Sequence, residues 1–193
     1  MIRAFVAVDI SQEARRTLAE AVDSLHGRGI SGVRWVRPSA IHLTLKFLGE
    51  VDASLTPGIM DALGRAASGR PPFRLGLSGL GAFPRPEAPR TIWAGLEGDL
   101  GELEGLQRDV DREVSPAAGV PAEKRPFLPH LTLGRVRDRV SSAQRRSIAD
   151  ALRRAALAQP PPWTVARLHL VRSNLTPGGA VYDILGTCDM AVE

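Results

Sequence analysis

The sequence predicts a fold of mixed helices and strands, built as two related halves around a shared cleft. Three observations predict it. The stretch Arg37-Pro38-Ser39-Ala40-Ile41-His42-Leu43-Thr44-Leu45 returns as Arg125-Pro126-Phe127-Leu128-Pro129-His130-Leu131-Thr132-Leu133, with six of nine positions identical at a constant offset of 88 residues. Agreement of Arg and Pro as well as His-Leu-Thr-Leu puts coincidence below roughly one in a thousand. Two copies are too few for a solenoid, so the repeat marks a duplicated half-domain. Helical and extended hydrophobic patterns also alternate along the chain. Finally, 193 residues at 44% hydrophobic content suffice for one domain with a substantial core, or for two lobes sharing one.

The elements follow in order. Residues 2–8 read as a first strand, too short and too early in charge for a signal peptide. Residues 11–26 place Leu18, Ala21, Val22 and Leu25 on one face and stop at Gly27, an amphipathic helix with a glycine end. Strand 42–48 carries the first His-x-Thr. Thr56-Pro57 opens a second helix by the cap-then-proline rule, with Ile59, Met60 and Leu63 inward and Gly69 after it. Strands 73–80 and 91–96 flank the Pro-rich loop 81–89. Asp99 caps a third helix striped by Leu100, Leu103, Leu106 and Val110, and 115–121 is a connection. Strand 129–136 carries the second His-x-Thr. A fourth helix runs from about Ser142 through Ile148 and Leu152 toward Leu157, and after the connection 158–162 come strands 163–171 and 180–187.

No apolar run reaches 18 residues, which excludes a helical membrane span. Cys188 is the only cysteine, so an internal disulfide and a Cys-rich metal site are excluded, and a reducing cytoplasm fits. Charge is uneven. Residues 1–120 carry 14 Lys/Arg against 15 Asp/Glu, residues 121–172 carry 11 against 3, and residues 173–193 carry three acids and no base. Basicity therefore gathers around the second His-x-Thr element, where it suits a polyanion or a solvated helix face equally well.

His-x-Thr on a strand has a definite physical meaning. Side chains alternate faces, so His42 and Thr44 project to one side while Leu43 and Leu45 enter the core, and His130 and Thr132 do the same against Leu131 and Leu133. Related by a pseudo-twofold, the two pairs face each other across a cleft. Two imidazoles flanking one reacting atom can serve as acid and base, because both protonation states coexist near neutrality. Two threonine hydroxyls can donate hydrogen bonds to phosphate oxygens. Phosphodiester chemistry fits this set. Each copy supplies one histidine without a neighbouring carboxylate or Cys pair, which argues against catalytic zinc. Covalent catalysis by Thr44 or Thr132 is disfavoured, since the histidine two residues away on the same strand is poorly placed to take the hydroxyl proton. His26 and His169 have no matching partner and are assigned structural roles.

At these residues the chain resembles the RNA 2′,3′-cyclic phosphodiesterases, also called 2′-5′ RNA ligases, of the two-histidine phosphoesterase superfamily. HLTLKFLGE and RPFLPHLTLGRVR look like that family's two HxTx motifs, at 42–45 and 130–133. The likeness extends through IRAFVAVDI, VRWVRPSAIHLTL, GLGAFPRPEAPRTIWAGL and SNLTPGGAVYDIL. The resemblance implies an α+β fold, pseudo-twofold and bilobal, in which antiparallel sheets line a central cleft with helices outside, all within one domain over residues 1–193. It implies hydrolysis of a terminal RNA 2′,3′-cyclic phosphate to a 2′-phosphate, with no metal and no cofactor. His42 is then the proton donor to the departing 3′ oxygen and His130 the proton acceptor that activates water, although spacing alone does not decide which is which. Thr44 and Thr132 bind phosphate. Arg135 matches a phosphate-contacting position, but strand parity sets it on the face opposite Thr132 unless Gly134 introduces a bulge. Lys46 shares the parity of His42 and ranks below Arg135. Phe5, Trp35 and Phe47 are assigned to core packing in preference to stacking on bases. The partner is RNA with a 2′,3′-cyclic phosphate end, tRNA fragments among them, and the chain is a cytoplasmic monomer off the membrane. The alternatives are the reverse reaction, joining such an end to a 5′-hydroxyl in a 2′-5′ linkage, and a non-catalytic RNA-binding protein that keeps the cleft.

Overall fold

In the computed structural model, which describes residues 1–176 and 179–190, the two halves share a strand-helix-strand-helix-strand succession, to which the first adds a short strand and the second two C-terminal strands. The first half runs β1 (Ile2–Val8), α1 (Gln12–Gly27), β2 (Val33–Trp35), β3 (Leu43–Val51), α2 (Thr56–Ala67) and β4 (Phe73–Phe83). The second runs β5 (Thr91–Gly98), α3 (Leu100–Ala118), β6 (Leu131–Val136), α4 (Ser142–Arg154), β7 (Trp163–Val165), β8 (Arg167–Thr176) and β9 (Gly179–Asp189). Pro177 and Gly178 of the SNLTPGGAVYDIL segment, and the acidic Glu193, lie outside the described residues.

The strands join in the order β7-β4-β5-β6-β3-β1-β8-β9, with β2 also on β6, and every pairing is antiparallel. The halves exchange strands: β4 of the first pairs with β5 of the second, while β8 of the second pairs with β1 of the first. At the centre, β3 meets β6 through the single pair Leu43↔Leu131. Those residues occupy equivalent places in the repeat, so the pseudo-twofold passes between them. This is the α+β architecture, with antiparallel strands and helices packed behind them.

The helices form for the reasons the pattern gives. Ser11 caps α1, its side chain accepting from the Ala14 N–H, and Ala14, Leu18, Ala21 and Leu25 are buried. Ser141 and Gln144 close a capping box on α4, satisfying two orphan donors reciprocally. Local chemistry departs from expectation at the other two starts. Thr56 is already helical: a 3-10 turn over Ala53–Leu55 leads in, and it is Asp52 that caps that turn, through the Ser54 N–H. Asp99 stands at the start of α3 but turns its carboxylate to the Arg74 N–H instead of its own helix. The helix α3 also runs through Pro116 to Ala118, where 115–121 reads as a connection, and it ends at the left-handed Gly119. The segment 163–171 splits at Ala166 into β7 and β8, and β4 extends to Phe83, taking the first residues of the Pro-rich loop.

Sheet alternation sorts core from cleft. Ala4, Val6 and Val8 of β1 enter the main core, whereas Phe5 and Ala7 join Val171 and Tyr182 on the opposite face. Leu43, Leu45, Leu131 and Leu133 are all in the core, each contributing about 1.5–3 kcal/mol to holding the two motif strands in place.

Candidate active site

Both histidines sit one residue before a strand, and both are half-buried. The Nδ1–H of His42 donates to the Ala40 carbonyl at 2.8 Å, and that of His130 donates to the Leu128 carbonyl at 2.7 Å. The repeat therefore extends to the hydrogen bond that sets the tautomer. With Nδ1 occupied, each ring is left with Nε2 to accept or donate a proton. The Leu43↔Leu131 register, carried one residue either way, sets His42 across from Thr132 and His130 across from Thr44.

A pair of matching bulges completes the cleft face. Ala7 pairs with Thr44 but Val6 pairs with Lys46, leaving Leu45 without a partner on β1. In the other half Trp93 pairs with Thr132 but Ile92 pairs with Gly134, leaving Leu133 without a partner on β5. An extra residue shifts the alternation by one. Arg135 consequently shares a face with Thr132, which removes the parity objection to it. Lys46 is carried the other way. It is buried at 6% exposure, and its Nζ donates to Asp111 Oδ1 at 2.5 Å and to the Pro121 carbonyl at 3.2 Å. Lys46 is thus a structural cation on the core side, not a cleft residue. By the same shift Phe47 is turned out at 69% exposure, so it does not pack in the core. Phe47 and Arg135 are equivalents under the pseudo-twofold, one apolar and one cationic.

Aromatic rings frame the imidazoles. Phe5, itself buried, stacks on His42 with centroids 4.6 Å apart, and Tyr182 meets His42 edge-on at 5.0 Å. Phe83 meets His130 edge-on at 4.9 Å. Trp35 packs against the core and the ring of His26 instead. Tyr182 and Phe83 carry no pattern in the sequence that would place them beside a histidine, because they arrive from strands distant in the chain.

The two histidines differ in their electrostatic setting. Burial pushes the His42 pKa below the ordinary imidazole value. The Ala40 carbonyl opposes that effect, Arg15 adds to it, and Asp9 opposes it again. Arg15 projects from α1 to donate to the carbonyls of Ile41 at 2.6 Å, Pro38 at 3.2 Å and Ser39 at 3.3 Å, clamping the turn that precedes His42. Asp9 lies 3.8 Å from Arg15 and accepts from His169 Nε2 at 2.8 Å, while Thr187 Oγ1 lies 2.9 Å from His169 Nδ1. His169 is therefore a buried, doubly bonded residue on the same sheet face as its β1 partner Ala7. At the cleft mouth, burial raises the Tyr182 phenol pKa while Arg135 and Arg3 pull it back, which sets Arg135 within electrostatic reach of the ring against His42.

The arrangement can hold an anion and move protons to and from it. The LigT-like phosphoesterase profile matches the chain twice, over residues 8–93 and 97–182, one match per half. The chain belongs to the LigT-like phosphoesterase family. An RNA 2′,3′-cyclic phosphodiesterase of Thermotoga maritima is 34% identical to this family member over 189 residues, covering 97% of this chain and 95% of the relative. Another, of Thermus thermophilus, is 35% identical over 194 residues, covering 95% and 88%. A crystal structure from Thermus thermophilus superposes with a TM-score of 0.78 at 32% identity over 98% of each chain. That of E. coli LigT complexed with 3′-AMP does so with 0.72 at 25% identity over 99% of each.

Proposed function

We propose that this phosphoesterase hydrolyses the 2′,3′-cyclic phosphate at the end of an RNA to a 2′-phosphate, using His42 and His130 as a metal-independent acid–base pair. One observation carries the reading. The two motif strands meet at Leu43↔Leu131 with both Nδ1 atoms tied to backbone, which supports reading the two Nε2 atoms and the two threonine hydroxyls as one site. The relatives named RNA 2′,3′-cyclic phosphodiesterase supply the substrate class.

In this mechanism Thr44, Thr132 and Arg135 hold the phosphate oxygens. His130 accepts a proton from water as it attacks phosphorus. His42 donates a proton to the 3′ oxygen as the P–O3′ bond breaks. In the free protein burial and Arg15 favour the neutral ring of His42. A bound phosphate anion favours the charged ring, so on substrate binding His42 takes up from solvent the proton that it later delivers to the 3′ oxygen. The RNA end, tRNA fragments included, is the partner we assign. A monomer working in a reducing cytoplasm is part of the same reading. It accords with the unpaired Cys188, and no helix among the described residues is long and apolar enough to cross a membrane.

The test is turnover of an RNA ending in a 2′,3′-cyclic phosphate with and without EDTA. Neither motif supplies a closed ligand set, so turnover is expected to survive chelation. Loss on chelation, restored by one divalent ion, would move the site to metal-assisted hydrolysis.

A further inference from the structure

Arg34 of β2 lies directly across from Arg135 of β6. Residues paired in this way carry β-carbons about 4.5–5.5 Å apart, and like charges so placed repel. Val33 and Trp35 pack against the core, so Arg34 turns the other way, onto the face that bears Thr132 and Arg135. Both arginines are exposed, and among the described residues neither forms a salt bridge or a side-chain hydrogen bond. In the basic region Arg125, Arg153 and Arg172 have acidic partners, whereas Arg137, Arg139, Arg146, Arg154 and Arg167 form no salt bridge among the described residues; what distinguishes Arg34 and Arg135 is that they are cross-strand neighbours. Two adjacent guanidinium groups without a carboxylate, next to a phosphate-binding threonine, make a site for more than one anionic oxygen group.

We propose that Arg34 extends the cleft into a second phosphate subsite, which takes the phosphodiester on the 5′ side of the terminal nucleotide while Arg135 serves the terminal phosphate. This rests on the RNA cyclic-phosphate reading above and adds a substrate class to it. A mononucleotide 2′,3′-cyclic phosphate has no further phosphodiester to offer, whereas an oligonucleotide does. Arg34 therefore selects for oligomers.

The experiment compares kcat/KM for a mononucleotide 2′,3′-cyclic phosphate and for a short RNA with the same end, in the wild type, Arg34→Gln and Arg34→Lys. Arg34→Gln is expected to lower the oligomer value roughly ten-fold, as loss of one charge-assisted contact does, and the mononucleotide value less than about two-fold. The salt dependence for the oligomer is expected to flatten by about 0.7 in logarithmic slope, and Arg34→Lys to restore it. Equal losses on both substrates, or no loss on either, would overturn the subsite. Should the wild type turn over neither substrate, the hydrolase reading fails separately. The subsite is then decided by fluorescence anisotropy of a labelled oligomer ending in a 2′-phosphate. Weaker, less salt-dependent binding by Arg34→Gln supports it, and unchanged binding rejects it.

Discussion

His42→Ala and His130→Ala are each expected to lower kcat on a cyclic-phosphate RNA by about 10²–10⁴-fold, the usual effect of removing one general acid or base. The expectation follows from the tethered Nδ1 atoms. Each ring is held by the carbonyl two residues before it, so its Nε2 is pre-oriented. The double variant is expected to lose much less than the product of the two single losses, because the residues act in one proton-transfer unit. Steady-state kinetics on the three variants check this. Near-wild-type turnover by either single variant would mean that the two histidines do not work as a pair.

Asp111→Ala is expected to destabilise the fold by about 3–5 kcal/mol, because it leaves the Lys46 ammonium buried without its counter-charge. Asp111 accepts from Lys46 and from the Glu123 N–H, and Lys46 also donates to the Pro121 carbonyl. The pair thus ties β3, just beyond the first motif, to the segment that leads into the second. Denaturant unfolding measures the loss, and the double variant Lys46→Met with Asp111→Leu is expected to recover most of it. The exposed pair Arg153–Asp150 is the control: Asp150→Ala is expected to cost less than about 1 kcal/mol. A cost that small at Asp111 would show that Lys46 reaches solvent or another partner.

Much of this was legible in the sequence, for identifiable reasons. The repeat alone predicted two related halves with histidines and threonines facing one cleft, because period-two alternation and buried leucines fix which side chains turn outward. Helix stripes were legible for the same reason: Leu18 and Leu25, Leu103 and Val110, Ile148 and Leu152 are all buried. The three-residue strand β2 was not legible. Its pairing with β6 is what orders Val33–Trp35, and so short a segment carries no periodicity. The bulges were half legible. Gly134 hints at one, but nothing marks its twin at Leu45, so alternation alone puts Lys46 on the face of His42, where the structure instead buries Lys46 and turns Phe47 outward. Arg15, Tyr182 and Phe83 reach the site through tertiary packing alone.

Product regiochemistry tests the central claim most directly. In-line attack by water on the side of phosphorus opposite the 3′ oxygen expels that oxygen, protonated by the acid of the pair, and leaves phosphate on the 2′ oxygen. Phosphorus NMR of the product from a 2′,3′-cyclic-phosphate dinucleotide distinguishes the two isomers. A single 2′-phosphate product is expected when the 3′ oxygen lies on the side of the acid, His42, and water on the side of the base, His130. A 3′-phosphate, or a mixture of the two, would contradict the assignment of acid and base across this cleft.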